Sequence, residues 1–255
     1  MHIQIISDLH LDFEQNRQWL IDNPIIPTGD VLLIAGDIVP DMNSSQAEAF
    51  YNDISPNFPL IITTMGNHEY YGSYLDYAYP QYQKWVRDNI LKLNNSAYIY
   101  KGVKFIVSTL WSKVSLQNKR LIGAKLNDYH AIKSREPEKI YISVEDTNSL
   151  HRQSLDFIVT ELEKPFAGKI VVMTHHLPSF STITLDRRFS PLREAFCTNL
   201  DDLIEIYPQI ALWVCGHSHD FSMIKLHNTT IVRNPLGYVF RNEHSDFKRD
   251  FSLEI

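Results

Sequence analysis

Residues 31–37, with the sequence VLLIAGD, contain the pattern that decides the fold: a short apolar run, a glycine and an aspartate. A run of this length flanked by glycine or proline is typical of a buried strand. Four other runs also end within about three residues of a side chain that can bind a divalent metal. They are Ile3–Ile6 before Asp8 and His10, Leu60–Thr64 before Asn67 and His68, Ile170–Met173 before His175, and Ile210–Val214 before His217 and His219.

These strand ends predict one shared polar site. In open α/β sheets, ligand sites collect at the carboxyl ends of the strands. Side chains two positions apart on a strand end point the same way, so Asp8 and His10 can converge on one ion. His217 and His219 have the same spacing. We therefore predict an α/β metalloenzyme whose site is assembled from segments that are far apart in the sequence.

Capping residues and apolar spacing predict the helices, and alternating polarity predicts the remaining strands. The β-rich end of the chain predicts a mixed sheet with antiparallel edges. The predicted helices are Gln46–Ile54 after Ser44, the aromatic-rich segment Leu75–Leu93, a helix that is capped by Thr147 and ends before Pro165, and Leu200–Tyr207 after Asn199. The predicted strands are a hairpin at Tyr98–Tyr100 and Lys104–Ser108, then Met223–Leu226, Thr229–Val232 and Phe251–Ile255.

Composition and charge narrow the class of protein. Of the 255 residues, 44% are hydrophobic and 21% are charged, which is ordinary for a soluble globular protein. The formal net charge of −6 disfavours nucleic acid or an acidic membrane as a partner. The chain has only two cysteines, Cys197 and Cys215, which argues against a disulfide framework. We expect one domain over residues 1–255, no membrane span and a cytoplasmic location. Oligomeric state stays open.

The stretch Trp111–Asp146 differs from the rest of the chain because it is polar and weakly periodic. A connection of this length often forms a lid or a binding loop. A solvated surface insert is an equally good interpretation. We therefore treat this insert as a candidate cap over the site.

The motifs at the strand ends resemble those of the calcineurin-like metallophosphoesterases. The resemblance extends from Asp8 to about Gly237 and implies a four-layer α/β fold, in which two packed mixed sheets are flanked by helices. It also implies a dinuclear metal site on one edge. The motifs are Asp8-Leu9-His10, Gly36-Asp37, Gly66-Asn67-His68-Glu69, Thr174-His175-His176 and Gly216-His217-Ser218-His219, in the order of that family.

The resemblance implies a metal role for individual residues. One metal is expected at Asp8, His10 and His219, and a second at Asn67, His175 and His217, with Asp37 as the bridge between them. Mixed Asp, His and Asn ligation without Cys suits Mn²⁺, Fe or Zn²⁺. We therefore expect two divalent metal ions as cofactors, of a kind that the sequence does not specify.

The expected chemistry is hydrolysis of a phosphate ester. Two cations that share a carboxylate and a water lower the pKa of that water, and the resulting hydroxide attacks phosphorus in line. The resemblance implies that His68 is not a ligand, so it is the candidate proton donor for the leaving oxygen, or a stabiliser of the phosphate. Asp37 and His68 are thus the predicted catalytic residues.

Residues near these motifs are candidates for substrate contact or support. Asp12 and Glu69 are predicted either to orient histidines or to be solvated loop carboxylates. The segment Asn127-Asp128-Tyr129-His130 resembles an insertion in a bacterial subgroup of the family whose substrates are mostly unassigned. The candidate substrate contacts are Asn67, His176, Arg187, Arg188 and Asn127.

Two other functions compete with a small-molecule phosphoesterase. A scaffold with this fold that binds proteins without catalysis is expected to have lost ligands or the proton donor, whereas all of these positions are filled here. A nuclease of the same superfamily is disfavoured by the acidic composition. Protein phosphatase activity is disfavoured because Pro40 stands where those enzymes carry an acid that partners the histidine. A small phosphate ester, monoester or diester, is the favoured substrate.

Overall fold

The computed structural model describes residues 1–41, 43–75, 81–184 and 187–255, which contain two six-stranded mixed sheets. In each sheet four parallel strands lie in the middle and one antiparallel strand lies at each edge. The predicted mixed sheets with antiparallel edges are therefore confirmed. The first sheet has the order β12 (Ser252–Glu254), β1 (His2–Ile6), β2 (Val31–Ile34), β3 (Ile61–Thr63), β5 (Ile90–Asn94) and β4 (Tyr82–Arg87).

The second sheet repeats this arrangement, and helices flank both sheets. Its order is β10 (Ser222–Leu226), β11 (Thr229–Arg233), β9 (Ile210–Val214), β8 (Lys169–Thr174), β7 (Val103–Ser108) and β6 (Ser96–Tyr100). The α-helices are α1 (Glu14–Asp22), α2 (Ser45–Ile54), α3 (Lys119–Lys125), α4 (Asp128–Ala131), α5 (Val144–Glu163) and α6 (Asp201–Ile206). Within the described ranges, none of the helices combines the length and the apolar character that crossing a membrane requires.

The apolar side chains form layers because strand residues point alternately to the two faces of a sheet. One face of each sheet contributes to a shared core, in which Ile5 and Leu33 of the first sheet pack with Phe105 and Met173 of the second. The opposite faces pack against helices. Ile34 of β2 joins a cluster with α2, and Trp213 of β9 joins one with α5 and α6. The result is the expected four-layer arrangement.

The insert Trp111–Asp146 has its own apolar cluster. Its members include Trp111, Ile122 and Tyr129 from the insert and Leu150 from α5, and all of them are buried. The insert therefore packs as a structured part of the protein, while residues 135–141 are exposed.

The predicted helix Leu75–Leu93 is wrong within its described part. Residues 82–94 form β4 and β5, which pair antiparallel around a turn at Asp88 and Asn89. Because Ile90–Asn94 also extends the parallel ladder of β3, sheet pairing overrides the local helical signal. Tyr77 and Tyr79, part of the aromatic patch of this segment, lie outside the described residues.

The predicted start of the long helix is also wrong by one turn. Helix α5 begins at Val144, and Ser143 precedes it as the capping residue. The Asp146 carboxylate accepts a hydrogen bond from the Ser143 backbone N–H at 2.7 Å, as in a capping box. Thr147 lies inside the first turn, where its hydroxyl donates to the Val144 carbonyl. The sequence Ser143-Val144-Glu145-Asp146 carried this signal, with Asp in place of the usual Glu or Gln.

Asn234 connects the two sheets where the chain leaves β11. Its buried amide nitrogen donates to the carbonyls of Ile5 at 2.8 Å and Lys248 at 2.7 Å. Its amide oxygen accepts from the Lys248 backbone N–H at 3.0 Å. Since Ile5 lies in the first sheet, these bonds hold the segment after β11 beside the carboxyl end of β1.

We expect Asn234→Ala to lower the free energy of unfolding by about 1–3 kcal/mol or more, because the buried backbone groups lose their partners. Urea unfolding followed by circular dichroism measures the change. The control is Asn228→Ala, at an exposed position between β10 and β11, which should change the free energy by less than about 0.5 kcal/mol. Equal effects of the two variants would contradict a linking role for Asn234.

Candidate metal centre

The metal-type residues lie where strands end and the backbone turns sharply. Asp8, His10, Asp37 and His217 all have left-handed backbone conformations, with φ between 45° and 66°. This region is uncommon for residues other than glycine, and it is often found at functional sites that the surrounding structure holds in place. These turns follow β1, β2 and β9, so their side chains project from the carboxyl edges of both sheets.

Glycines allow the turns to approach each other closely. A Cβ atom at Gly66 would lie 2.1 Å from the Asp37 Oδ1 atom, and one at Gly36 would lie 2.6 Å from the Gly66 nitrogen. Both distances are far below van der Waals contact. Gly36 and Gly66 therefore allow the loops after β2 and β3 to approach each other closely.

Asp8, His10 and His219 form the first group of potential ligands. The Nε2 atoms of His10 and His219 are 3.1 Å apart, and His219 Nε2 is 3.6 Å from the Asp8 Oδ1 atom. Asp8 also accepts a hydrogen bond from the His217 backbone N–H, at 2.9 Å. The carboxylate thus links the loop after β1 to the loop after β9.

Asp37, Asn67, His175 and His217 form the second group. His175 Nε2 lies 3.0 Å from Asn67 Oδ1, 3.2 Å from His217 Nδ1 and 3.4 Å from Asp37 Oδ2. The other nitrogen of His175 contacts the Ala35 carbonyl at 2.7 Å, which fixes its ring. Asp37 Oδ2 is also 4.0 Å from His10 Nε2. Asp37 therefore lies between the two groups.

The electrostatics of the cluster suit cations. Burial raises the pKa of Asp37, but the electrostatic effect of His175 and His68 is larger than the effect of burial and holds that pKa well below its usual range. Burial lowers the pKa of His10, despite Asp37, so the ring is neutral and its nitrogen can act as a ligand. Burial also lowers the pKa of His175, but Asp37 outweighs burial and raises it to about 10. A bound cation would displace that proton, because metal ligands must be deprotonated.

The donor set therefore fits divalent metals. Buried carboxylates need compensating charge. Nδ1 of His175 faces the Ala35 carbonyl and Nδ1 of His219 faces a carboxylate, so in a neutral ring the Nε2 atom of each histidine carries a lone pair directed into the cluster. Imidazole, carboxylate and amide oxygen are ligands for Mn²⁺, Fe and Zn²⁺. The sequence-predicted ligands all lie in these two groups.

His68 lies beside the centre. Its backbone N–H donates to Asp37 Oδ1 at 2.9 Å, and its Nε2 is 4.0 Å from Asp37 Oδ2. The ring stacks on Tyr71, with centroids 4.1 Å apart and planes inclined by 26°. The side chain is 15% exposed, so it can reach a bound molecule.

Glu69 has a role that neither predicted alternative describes. Its buried carboxylate accepts hydrogen bonds from the backbone N–H groups of Asp37 at 3.0 Å, Ile38 at 2.6 Å and Gly66 at 2.6 Å. It therefore ties the loop after β2 to the loop after β3 and does not orient a histidine. Asp12, the other candidate, is exposed.

Glu243 and Tyr238 support two of the predicted ligands, His10 and His219. Glu243 Oε2 lies 2.6 Å from His219 Nδ1 and also accepts from the Tyr238 backbone N–H. The Tyr238 ring packs on His10 and His219, with centroids 4.6 and 4.8 Å away. No spacing signal in the sequence pointed to Glu243.

A cavity of about 250 Å³ opens onto the centre. Three predicted substrate contacts, Asn67, Asn127 and Arg187, line it, together with Arg241, which the sequence analysis did not single out. Leu126, Asn127 and Asp128 belong to the insert, so the insert forms one wall. The guanidinium group of Arg241 lies 5.0 Å from the centroid of the Tyr238 ring.

The remaining predicted contacts lie elsewhere. His176 is 1% exposed and packs against the rings of His217 and Trp111, so the predicted rim contact is not accessible to a substrate. Burial and the neighbouring His175 lower the pKa of His176 to about 3, so it is a neutral packing residue. The Arg188 carbonyl accepts from the Arg193 guanidinium, and Arg188 is not among the residues that line the described cavity.

Comparison with known proteins agrees with this geometry. The family model for calcineurin-like phosphoesterases matches residues 1–221. The uncharacterized protein L509 of Acanthamoeba polyphaga mimivirus is 31% identical over 278 residues, covering 99% of this chain and 96% of that protein. The solved structure of phosphopantetheinyl hydrolase from Mycobacterium tuberculosis has a TM-score of 0.65 at 16% identity, over 92% of this chain and 89% of that one. At this identity the structural likeness concerns the fold alone.

We expect Asp37→Asn to weaken metal binding more than about 100-fold, because residues that only support ligands already contribute about 10–100-fold. Equilibrium dialysis against Mn²⁺ with elemental analysis measures the binding. Asp88→Asn removes the same charge at an exposed turn and should bind Mn²⁺ like the parent. An Asp37→Asn protein that retained two metal ions with parental affinity would contradict the bridging position.

Proposed function

Because the chain belongs to the calcineurin-like phosphoesterase family, we propose that it hydrolyses a small phosphate ester with two divalent cations. The observation that carries the proposal is the position of Asp37 between two groups of ligand-type side chains, 4.0 Å from His10 and 3.4 Å from His175. This arrangement borders an open cavity into which His68, Asn67 and Arg241 also project.

The two cations would be held by the groups described above. Asp8, His10 and His219 would bind one cation, and Asn67, His175 and His217 would bind the other. Asp37 would contact both cations. The candidate metals are Mn, Fe and Zn. Such a pair lowers the pKa of a shared water and neutralises charge on the phosphate oxygens. The chain itself supplies the rigid loops and excludes bulk water from Asp8 and His10, which are fully buried.

His68 is the proposed proton donor. A departing alkoxide needs a proton, and an imidazole near the bound phosphate can provide one. The stacked ring of Tyr71 restricts the orientation of His68, while the bond from the His68 backbone to Asp37 fixes its distance from the centre. The same position would also allow a protonated His68 to stabilise the phosphate without transferring a proton.

The cavity favours a small ester that carries a second anionic group. Arg187 and Arg241 both line it, and neither forms an ion pair with a carboxylate within the described ranges. Guanidinium groups bind phosphate and carboxylate well. We propose that at least Arg241, held against Tyr238, contacts this second group.

The competing functions are less well supported. A binding scaffold does not require Asp8 and Asp37 to be buried among histidines, where carboxylates are costly without cations. A nuclease needs a long basic surface, whereas this chain has a net charge of −6 and a cavity of about 250 Å³. The single domain and the cytoplasmic location stay predictions. The two cysteines are free and buried, which agrees with the expected reducing compartment.

We expect His68→Ala to slow hydrolysis of an alkyl phosphate by roughly 10²–10⁴-fold, the range of general acid–base catalysis. The loss on p-nitrophenyl phosphate should be smaller, because its leaving group departs without a proton. Steady-state kinetics with both substrates, at equal metal content, measure the difference. His130→Ala, at an exposed histidine of α4, is the control. An equal loss on both substrates would contradict proton donation and favour electrostatic stabilisation.

We expect Arg241→Gln to raise KM about 10-fold or more for a phosphate ester with a second phosphate, since a hydrogen bond to a charged group contributes about 1.5–3 kcal/mol. KM for p-nitrophenyl phosphate, which has one phosphate, should change little. Arg120→Gln on the exposed side of α3 is the matched control. Parallel changes for both substrates would argue against a second anion site at Arg241.

A further inference from the structure

Asp128 of the insert lies directly behind the proposed ligand Asn67. The carboxylate is 6% exposed, and its Oδ1 atom accepts a hydrogen bond from the Asn67 amide nitrogen at 2.8 Å. The same oxygen accepts from the Tyr71 hydroxyl at 2.7 Å. No Lys, Arg or His pairs with Asp128 in the described ranges. Both of its side-chain partners therefore belong to the site.

The bond to Asp128 determines which end of the Asn67 amide faces the centre. An amide has a hydrogen-bond acceptor at one end and two donors at the other. Because the nitrogen donates to Asp128, the oxygen points to the opposite side, where it lies 3.0 Å from His175 Nε2. A flipped amide would direct its hydrogens at a cation, and Asn67 would cease to be a ligand.

The bond to Tyr71 extends this support to His68. The Tyr71 hydroxyl is held by Asp128 and is also 3.3 Å from the Asn67 amide nitrogen. Its ring is the surface on which His68 stacks. One carboxylate thus restrains the amide of Asn67 and the ring that supports the proposed proton donor.

We propose that Asp128 is a positioning residue that orients Asn67 toward one of the two cations and, through Tyr71, restrains His68. The insert is then a structural component of the metal centre as well as a wall of the cavity. This inference rests on the proposed function. It predicts an asymmetric effect, because Asn67 belongs to the group of His175 and His217 and is separate from the group of Asp8, His10 and His219.

The test is Mn²⁺ titration of metal-free protein by isothermal calorimetry, with variants at Asp128. Asp128→Ala should weaken one of two binding events by about 10–100-fold, the usual effect of removing a group that supports a ligand. The other event should keep its parental affinity. Asp128→Asn should remain within a few-fold of the parent, because both bonds end on Oδ1 and its amide oxygen can still accept them.

A matched control separates positioning from general stability. Tyr129 is the next residue on α4, and its hydroxyl bonds to Thr147 at 3.0 Å in the buried interior of the insert. Tyr129→Phe should lower the melting temperature but leave both Mn²⁺ affinities unchanged. Asp128→Leu, which fills the same space without an acceptor, provides the test if the alanine variant does not fold.

Tyr71→Phe separates the two branches of the network. It removes the hydroxyl but keeps the ring and the bond from Asn67 to Asp128. Both Mn²⁺ affinities should therefore remain parental, while kcat for an alkyl phosphate falls and KM stays within a few-fold. Saturating Mn²⁺ should raise the activity of Asp128→Ala only to about that of Tyr71→Phe, because the Tyr71 hydroxyl has lost its partner in both variants, and should not raise the activity of Tyr71→Phe.

The outcomes distinguish this inference from the function on which it rests. If the parent protein binds no Mn²⁺, the proposed function and the inference both fail. If the parent binds two ions and Asp128→Ala binds them equally well, or loses both alike, the inference fails alone. The inference also fails alone if Tyr129→Phe lowers the affinity for one Mn²⁺ ion as much as Asp128→Ala does.

Discussion

The carboxylate of Glu69 accepts hydrogen bonds from three backbone N–H groups on two separate loops, and the geometry of the centre depends on it. These loops carry Asp37 and Asn67. Without an acceptor, the buried N–H groups would each cost about 1–3 kcal/mol, so the loops would separate to find other partners. Close approach also requires Gly66, whose Cβ would overlap Asp37. The Glu69 carboxylate and the absence of a side chain at Gly66 together determine the distance between Asp37 and Asn67.

Most of the architecture, and the clustering of the predicted ligands, could be predicted because both follow local rules. Apolar runs predict buried strands, and the glycines after them allow tight turns that place Asp37, Asn67 and His217 on one edge. Glu243, Asp128 and Arg241 could not be predicted in the same way, because they reach the site from segments without such a pattern. The helix predicted over residues 75–93 failed because pairing of β5 with β3 is a long-range contact.

The insert shows why polarity alone is a poor guide to structural role. Its few apolar residues, among them Trp111 and Ile122, are concentrated in one cluster that α5 completes through Leu150. Its polar residues divide between solvent, the cavity and the bond to Asn67. Proteins of one fold family can therefore differ in the residues that line the substrate cavity while the ligand-type residues stay the same, since the insert and the loops that carry these residues are different segments.

The wide separation of the ligands along the chain has a consequence for biosynthesis. A ribosome releases Asp8 long before His219, and β1 gains its neighbour β12 only after residues 252–254 have been made. Until then β1 has an unpaired edge, which makes partly made chains prone to aggregation. The predicted ligands therefore come together only late in synthesis, and the yield of folded protein depends on how the nascent β1 edge is protected before β12 pairs with it.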